Sequence, residues 1–334
     1  MNDRFAPKRY GYGAGLPIAR QGWILVAVSA LVIGTIPIGA VLGNPKSEPF
    51  RVAETGQAFA TLQQAIDAIG SGKGTIEIAA GRHAQCGVQK AGRIAYIAQT
   101  PGAAILDGVA CEGKAALVLR GETATVRELT FAGIGVPDRN GAGIRLENGT
   151  LDVSRSWFRD SEQGIMTVNG KDSRISIDRS TFSRLGTCEG AGGCAHSIYI
   201  GDYGSLSVTR SRFEKGGGGH YVKSRAAQNV IEDNSFDDSR GHGTNYMIDL
   251  PNGGSGAIRG NWFVQGKDKE NRSTLIAVGA EGAKHSADGL AIEGNDARLA
   301  PGAQATAFIK DWTGDRLAIG GNRLGDGVKP FQIR

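Results

Sequence analysis

Arg155-Ser156-Trp157-Phe158, Arg179-Ser180-Thr181-Phe182, Arg210-Ser211-Arg212-Phe213, Asp233-Asn234-Ser235-Phe236 and Gly260-Asn261-Trp262-Phe263 are five copies of one short pattern. Weaker copies follow at Gly294-Asn295-Asp296-Ala297 and Gly321-Asn322-Arg323-Leu324. The Ser or Asn recurs after 24, 31, 23, 27, 34 and 27 residues. A floor near 23 with a variable excess describes coils of constant circumference that carry loops of different length. Internal similarity at such a period is the signature of a solenoid.

Each unit opens on a short alternating strand: Gly143–Leu146, Gly164–Thr167, Ser197–Ile200, Tyr221–Ser224, Met247–Leu250 and Leu275–Val278. A second strand precedes the Ser/Asn position, as in Leu151–Val153 and Leu206–Val208. Period-two apolar residues punctuated by Gly, Asn and Asp are strand signals. One such coil cannot bury its apolar side, whereas neighbours stacked about 4.8 Å apart can. Recurrent Ser/Asn and Phe then form internal ladders of like residues, a structural role. The 52 glycines in 334 residues, against a usual share of roughly 7%, fit many tight turns.

A solenoid needs its open end covered. Thr61-Leu62-Gln63-Gln64 reads as a capping box, with Ala65, Ile66 and Ile69 at helical spacing behind it, ahead of a first strand at Thr75–Ile78. Upstream, residues 21–45 carry no charge, and Trp23–Leu42 is long enough to cross a bilayer core. Lys8, Arg9 and Arg20 precede this run and orient it with the N-terminus in the cytoplasm. The expected organisation is a basic cytoplasmic leader (1–20), a transmembrane signal-anchor (21–43), a linker (44–58) and an all-β solenoid domain (59–334). The bulk of the chain would then be periplasmic, held on the inner membrane; a cleaved signal peptide and a secreted protein is the alternative. Four cysteines suit such an oxidising compartment. Cys86 and Cys111 lie about one coil apart and Cys188 and Cys194 close a small Gly-rich loop, so two disulfides are expected.

The first 44 residues hold four basic side chains and one acidic one, which leaves 34 basic and 32 acidic residues beyond them. No clustered basic face exists there, so a nucleic-acid partner is excluded.

The segments Phe59–Ile69, Thr75–Gly81 and Ile105-Leu106-Asp107-Gly108 resemble the opening of pectate-lyase-like proteins. That resemblance covers roughly residues 55–334 and implies a right-handed parallel β-helix. Its members include lyases, hydrolases, epimerases and non-enzymes, so it implies no single activity.

Function is sought on the outer face of the strand that opens each unit. With Ile144, Ile165, Ile198, Val222, Ile248 and Ile276 pointing inward, the outward row reads Arg145, Met166, Tyr199, Lys223, Asp249, Ala277. Arg225 lies two residues beyond Lys223 on the same face. His196, Asp202, Tyr203, His220, His242 and Tyr246 are close in sequence, and three of the chain's five histidines fall within 196–242. Such a set suits β-elimination on a uronate polysaccharide, which needs a base, a cation beside the carboxylate and an acid for the leaving oxygen. Lys223, Arg225, Tyr199, His220 and His196 are the catalytic candidates. Asp249, Asp202, Tyr203, His242, Tyr246, Asn271 and Glu281 are candidate substrate contacts, as is Asn245.

Tyr221–Phe236 also resembles the lysine-bearing coil of the alginate lyase and chondroitinase B family. The resemblance implies Lys223 as base. It brings calcium with it, but no closely spaced pair of glutamates stands on the preceding coils, so no metal site or cofactor is assigned. The following coil also carries Arg240-Gly241-His242-Gly243 in a turn instead of an arginine within the strand. The expected activity leans toward a carbon–oxygen lyase, or the related C5 epimerase, on an acidic polysaccharide. The alternative is a non-catalytic glycan-binding or assembly module; a purely structural reading takes Lys223 and Asp249 as a plain surface ion pair.

Overall fold

The computed structural model describes residues 48–190 and 193–333. The expected leader and membrane segment lie outside the described residues, and no described helix is long and apolar enough to cross a membrane.

Among the described residues the repeats wind into three sheets of twelve, ten and ten strands. The first runs from Ala58–Phe59, through Phe50–Val52 beside it, to Ala318–Gly320, the second from Gly81–His83 to Arg323–Leu324, and the third from Gly87–Gln89 to Val328–Ile333. Successive coils pair in parallel, as at Ile175↔Leu206, Phe182↔Phe213 and Ile198↔Val222. Two dozen residues of sequence thus become one strand spacing.

Ladders of like residues set the register. Phe131, Phe158, Phe182, Phe213, Phe236 and Phe263 are fully buried and stack ring on ring, with centroids 4.8 to 5.0 Å apart. The row ends where Ala297 takes the next position, and Phe308 turns its ring edgewise onto Phe263. At the corner between the first and second sheets runs the Ser/Asn ladder. The Ser156, Ser180 and Ser211 backbone N–H groups donate to Ser180 Oγ, Ser211 Oγ and Asn234 Oδ1 of the next coil. Asn234, Asn261 and Asn295 each donate Nδ2 to the next asparagine at 2.9 to 3.0 Å and to a carbonyl of the coil before.

The residue ahead of each rung bends the chain through the left-handed region: Arg155, Arg179, Arg210 and Asp233 at φ 47 to 58°, then Gly260, Gly294 and Gly321. For a residue with a Cβ that geometry costs about 1–2 kcal/mol. The hydrogen bonds at the rung outweigh it.

The helix Leu62–Ile69 is capped by Thr61 and Gln64 in a reciprocal capping box. Leu62 and Ile66 press on Gly87, where a Cβ would lie 2.5 Å from Ile66 Cδ1. Gln63 exchanges hydrogen bonds with the Val88 backbone, satisfying the exposed edge of the third sheet. Both disulfides form, Cys86–Cys111 and Cys188–Cys194. The expected linker is corrected: within it Phe50–Val52 pairs antiparallel with Lys73–Ile78, and Phe50 is fully buried, so the described residues before 59 belong to the solenoid. An apolar residue at each end of this strand, which the short segment hides, anchors it.

Asn261 sits mid-ladder and fully buried, whereas Asn322 ends the ladder half-exposed. Removing a buried member strands its partners at about 1–3 kcal/mol per group. Asn261→Ala is therefore expected to cost on the order of 3 kcal/mol and Asn322→Ala on the order of 1. Denaturant unfolding of the two variants measures this, and equal costs would contradict the ladder's role.

Candidate functional site

The third sheet carries the outward row in the register the repeat implies. Arg145 pairs with Met166, Met166 with Tyr199, Tyr199 with Lys223, Lys223 with Asp249 and Asp249 with Ala277. Their inward neighbours Ile144, Ile165, Ile198, Val222, Ile248 and Ile276 are all fully buried.

Two residues before the strand, a second row stands beside the first. His196, His220 and Tyr246 occupy equivalent positions on three coils. The Tyr199 and His196 rings stack at 5.4 Å, His196 and His220 at 4.9 Å, and His220 and Tyr246 at 5.3 Å. Asn271 donates to Tyr246 Oη at 2.9 Å. The His220 backbone N–H donates to His196 Nδ1 at 3.0 Å, which leaves the proton of the neutral ring on Nε2. Burial, reinforced by the Lys223 and Arg225 charges, pushes His196 down to about 3. His220 is likewise held well below the usual histidine range, first by burial and then by its charged neighbours. Both rings are neutral at ordinary pH.

The cations are gripped from outside. Arg225 donates Nη1 to Tyr199 Oη at 2.7 Å, and its guanidinium lies 5.1 Å from that ring's centre. Glu281 accepts from Lys223 Nζ at 2.7 Å with one oxygen and from Arg225 Nη2 at 2.5 Å with the other. Burial would raise the Glu281 carboxyl, but these two donors outweigh it and hold it low. Asp249 Oδ2 lies 3.3 Å from Lys223 Nζ and 3.4 Å from His220 Nε2. Asp249 is almost wholly buried, and that burial pushes its carboxyl up to about 6 despite the lysine. The Lys223–Asp249 contact is thus a buried pair and not the surface ion pair of the purely structural reading.

Tyr199, His196, His220, Lys223 and Arg225 line a cleft of about 290 Å³, closed on its other side by Gly193, Cys194, Gly219, Asn245 and Glu270. The Cys188–Cys194 disulfide fixes one wall. Another wall rests on a buried cluster: Lys269 Nζ meets Asp238 at 3.0 Å, and Tyr221 and Thr244 hydroxyls also donate to Asp238. Lys269 additionally bonds the Asn245 carbonyl, so this cluster positions Asn245 and, through it, Glu270, which accepts from Asn245 Nδ2. Cys188, Cys194 and Glu270 approach one another closely enough for a metal, but both sulfurs are tied in the disulfide and offer no thiolate.

Three candidates lie elsewhere. Tyr203 is 0% exposed within the apolar core, beneath Gly170, and does not line the cleft. The turn after Ile200 reverses the expected facing. His242 is exposed, pairs with Asp268 at 3.1 Å and does not line the cleft. Asp202 anchors a loop, accepting from Lys284 Nζ at 2.5 Å and His285 Nε2 at 3.2 Å. Residues 279–289 therefore reach across several coils, tied at Asp202 and at Lys223 and Arg225. Glu270, Lys284 and His285 went unrecognised in the sequence, because contacts made by long loops leave no period.

The family model "Right handed beta helix region" matches residues 111–297. A search of curated proteins finds no match. Among solved structures, ORF18 of Geobacillus virus E2 is similar in fold, with 13% identity and a TM-score of 0.50 over 82% of this chain and 56% of that one. This chain thus spans little more than half the length of the phage protein. With parallel ladders running through three sheets and the family model covering more than half its length, the chain belongs to the right-handed β-helix family.

Proposed function

We propose that the cleft binds uronate units of an acidic polysaccharide and draws off the proton next to their carboxylate, leading to β-elimination or C5 epimerisation. The observation that carries this reading is the seat of Glu281: Lys223 and Arg225 together hold one carboxylate, one oxygen each. A substrate carboxylate that displaced Glu281 would find the same fork. Two disulfides support an extracytoplasmic setting, with residues 21–43 as the anchor to the inner membrane.

In this mechanism Lys223 and Arg225 take up the charge that spreads onto the carboxylate as the proton leaves. Lys223 directs its N–H groups at Glu281 and Asp249, so the base falls to another group. His196 has committed its Nδ1 lone pair to a backbone N–H, which leaves it a neutral Nε2–H donor. Tyr199 lines the cleft and accepts from Arg225, so its oxygen is the assigned proton acceptor, acting as the phenolate that the adjacent guanidinium stabilises. The C5–H bond breaks, its electron pair forms the C4=C5 double bond, and the C4 oxygen departs with the proton that Tyr199 has just taken, while the His196 Nε2–H donates a hydrogen bond in the cleft. If the proton instead returns to C5 from the other face, the product is the epimer. Since Glu281 already fills both cations, saturable glycan binding without turnover is the second reading.

Incubating the protein with alginate, pectate and glycosaminoglycans, while following unsaturated-product absorbance and sugar NMR spectra, tests the proposal. Product or epimer is expected on one polymer, and Arg225→Ala or Tyr199→Phe should slow its formation on the order of a hundredfold. Unchanged sugars across the panel would remove catalysis, and loss of binding as well would remove the site.

A pH dependence follows from Asp249. Its carboxyl is neutral below about 6 and charged above. Protonation removes one counter-charge from Lys223 and leaves the cleft more positive. Affinity for an acidic oligosaccharide is expected to rise as pH falls from 7.5 to 5, and Asp249→Asn should flatten that profile. Calorimetric titration at both pH values reads it; a wild-type profile in the variant would clear Asp249 of the effect.

A further inference from the structure

The strand Thr274–Val278 hands the chain to a strap, residues 279–289, that runs backwards over coils already laid down. Its Glu281 reaches Lys223, two strands back, and its Lys284 and His285 reach Asp202, on the coil before that. Three strand spacings of about 4.8 Å make this a return of roughly 14 Å along the axis. Backbone bonds pin the strap from beneath: the Gly279, Glu281 and His285 N–H groups donate to the Leu250, Pro251 and Asn252 carbonyls at 2.8 to 2.9 Å. Gly279 and Gly282 turn the chain on either side of Glu281, with φ of 76 and 112°. The backbone of the strap is thus fixed, and the Glu281 side chain, 43% exposed, is the part free to swing.

At the far end Asp202 is buried and accepts from both Lys284 and His285, with Lys171 Nζ 3.9 Å away. Lys284 beside it holds the Asp202 carboxyl below its usual range, so the pairing keeps its charge at ordinary pH. Only two residues separate Glu281 from Lys284, so whatever holds Lys284 limits where Glu281 can go.

Resting on the reading of the cleft as a uronate site, we propose that the strap is an autoinhibitory device: Glu281 is a built-in competitor for Lys223 and Arg225, and the pairing at Asp202 is the latch that sets its strength. A tethered group competes at an effective concentration fixed by its tether, in the millimolar range for short flexible links. Here both ends of the tether are pinned, which keeps the Glu281 carboxylate at the fork. A ligand carboxylate enters only by displacing it. Opening the latch lengthens the free tether and weakens the competitor. Asp202 touches no part of the fork, so it is a positioning residue that acts through Glu281.

The test titrates galacturonate and mannuronate, each with a single carboxylate, and an octamer of each into the full chain by calorimetry. Glu281→Gln keeps the side chain's shape and removes its charge, and it is expected to bind the monomers about tenfold more tightly. Asp202→Asn is expected to gain about threefold and to quicken amide exchange over 279–289. The double variant should gain no more than Glu281→Gln alone, because the latch works only through that carboxylate. If Glu281→Gln binds monomers no better than the wild type while Arg225→Ala still weakens octamer binding, the competitor is overturned and the cleft stands. A double variant that gains beyond Glu281→Gln overturns the latch. If Arg225→Ala leaves octamer binding unchanged, or no variant binds any of the four sugars, the cleft reading itself falls and this inference with it.

Discussion

Parallel pairing at one strand spacing per coil is the constraint from which the rest of the molecule follows. It leaves each side chain two fixed neighbours, one coil up and one coil down, at roughly 4.8 Å. Inside, that distance suits stacked phenyl rings and amides that donate to the next amide, and the chain uses both. A one-residue slip would turn the Phe row outward and break the Asn ladder at once. Register is thereby specified twice, by an apolar row and by a polar one.

The same constraint builds the candidate site. Tyr199, Lys223 and Asp249 meet because they hold equivalent positions on successive coils, and His196, His220 and Tyr246 stack for the same reason. Rigid strands fix these side chains, which suits a site that must hold charge in a set geometry. The price is proximity: equivalent positions cannot be spread apart. Two cations, two carboxylates and two imidazoles crowd one patch, and the imidazoles stay neutral because burial beside Lys223 disfavours their charged form.

How much of this could be read from the sequence divides along the same line. Anything governed by the period was legible: the Ser/Asn rungs, the Phe row, the outward line from Arg145 to Ala277, the capping box at Thr61 and both cysteine pairs. What departs from the period was not. Tyr203 follows a turn that shifts its facing and ends in the core. His242 sits beside the site in sequence yet on an exposed turn. Phe50 lies in a stretch too short to show alternation, so its strand looked like linker. The loop 279–289 lands its acid on Lys223 and Arg225 and its base pair on Asp202, contacts 56 to 83 residues apart that no repeat encodes.

That loop bears directly on the proposed function. Asp249 is held by a strand, so its charge is a permanent part of the floor, adjustable only by protonation. Glu281 comes from a loop and is partly exposed, so it can leave. With Glu281 in place, Lys223 and Arg225 are satisfied and need no ligand, which avoids two uncompensated cations at a buried position. When it withdraws, the fork opens to another carboxylate of the same shape. An arriving acidic ligand must therefore outcompete an internal carboxylate that is already tethered, and one carboxylate in free solution competes poorly with that. A polymer anchored at additional points along the groove competes better, since each further contact raises the effective concentration of the group at the fork. Under the proposed function, loop-borne acid and long ligand fit together: the first would suppress capture of small anions, and the second would supply the extra contacts that displacement requires.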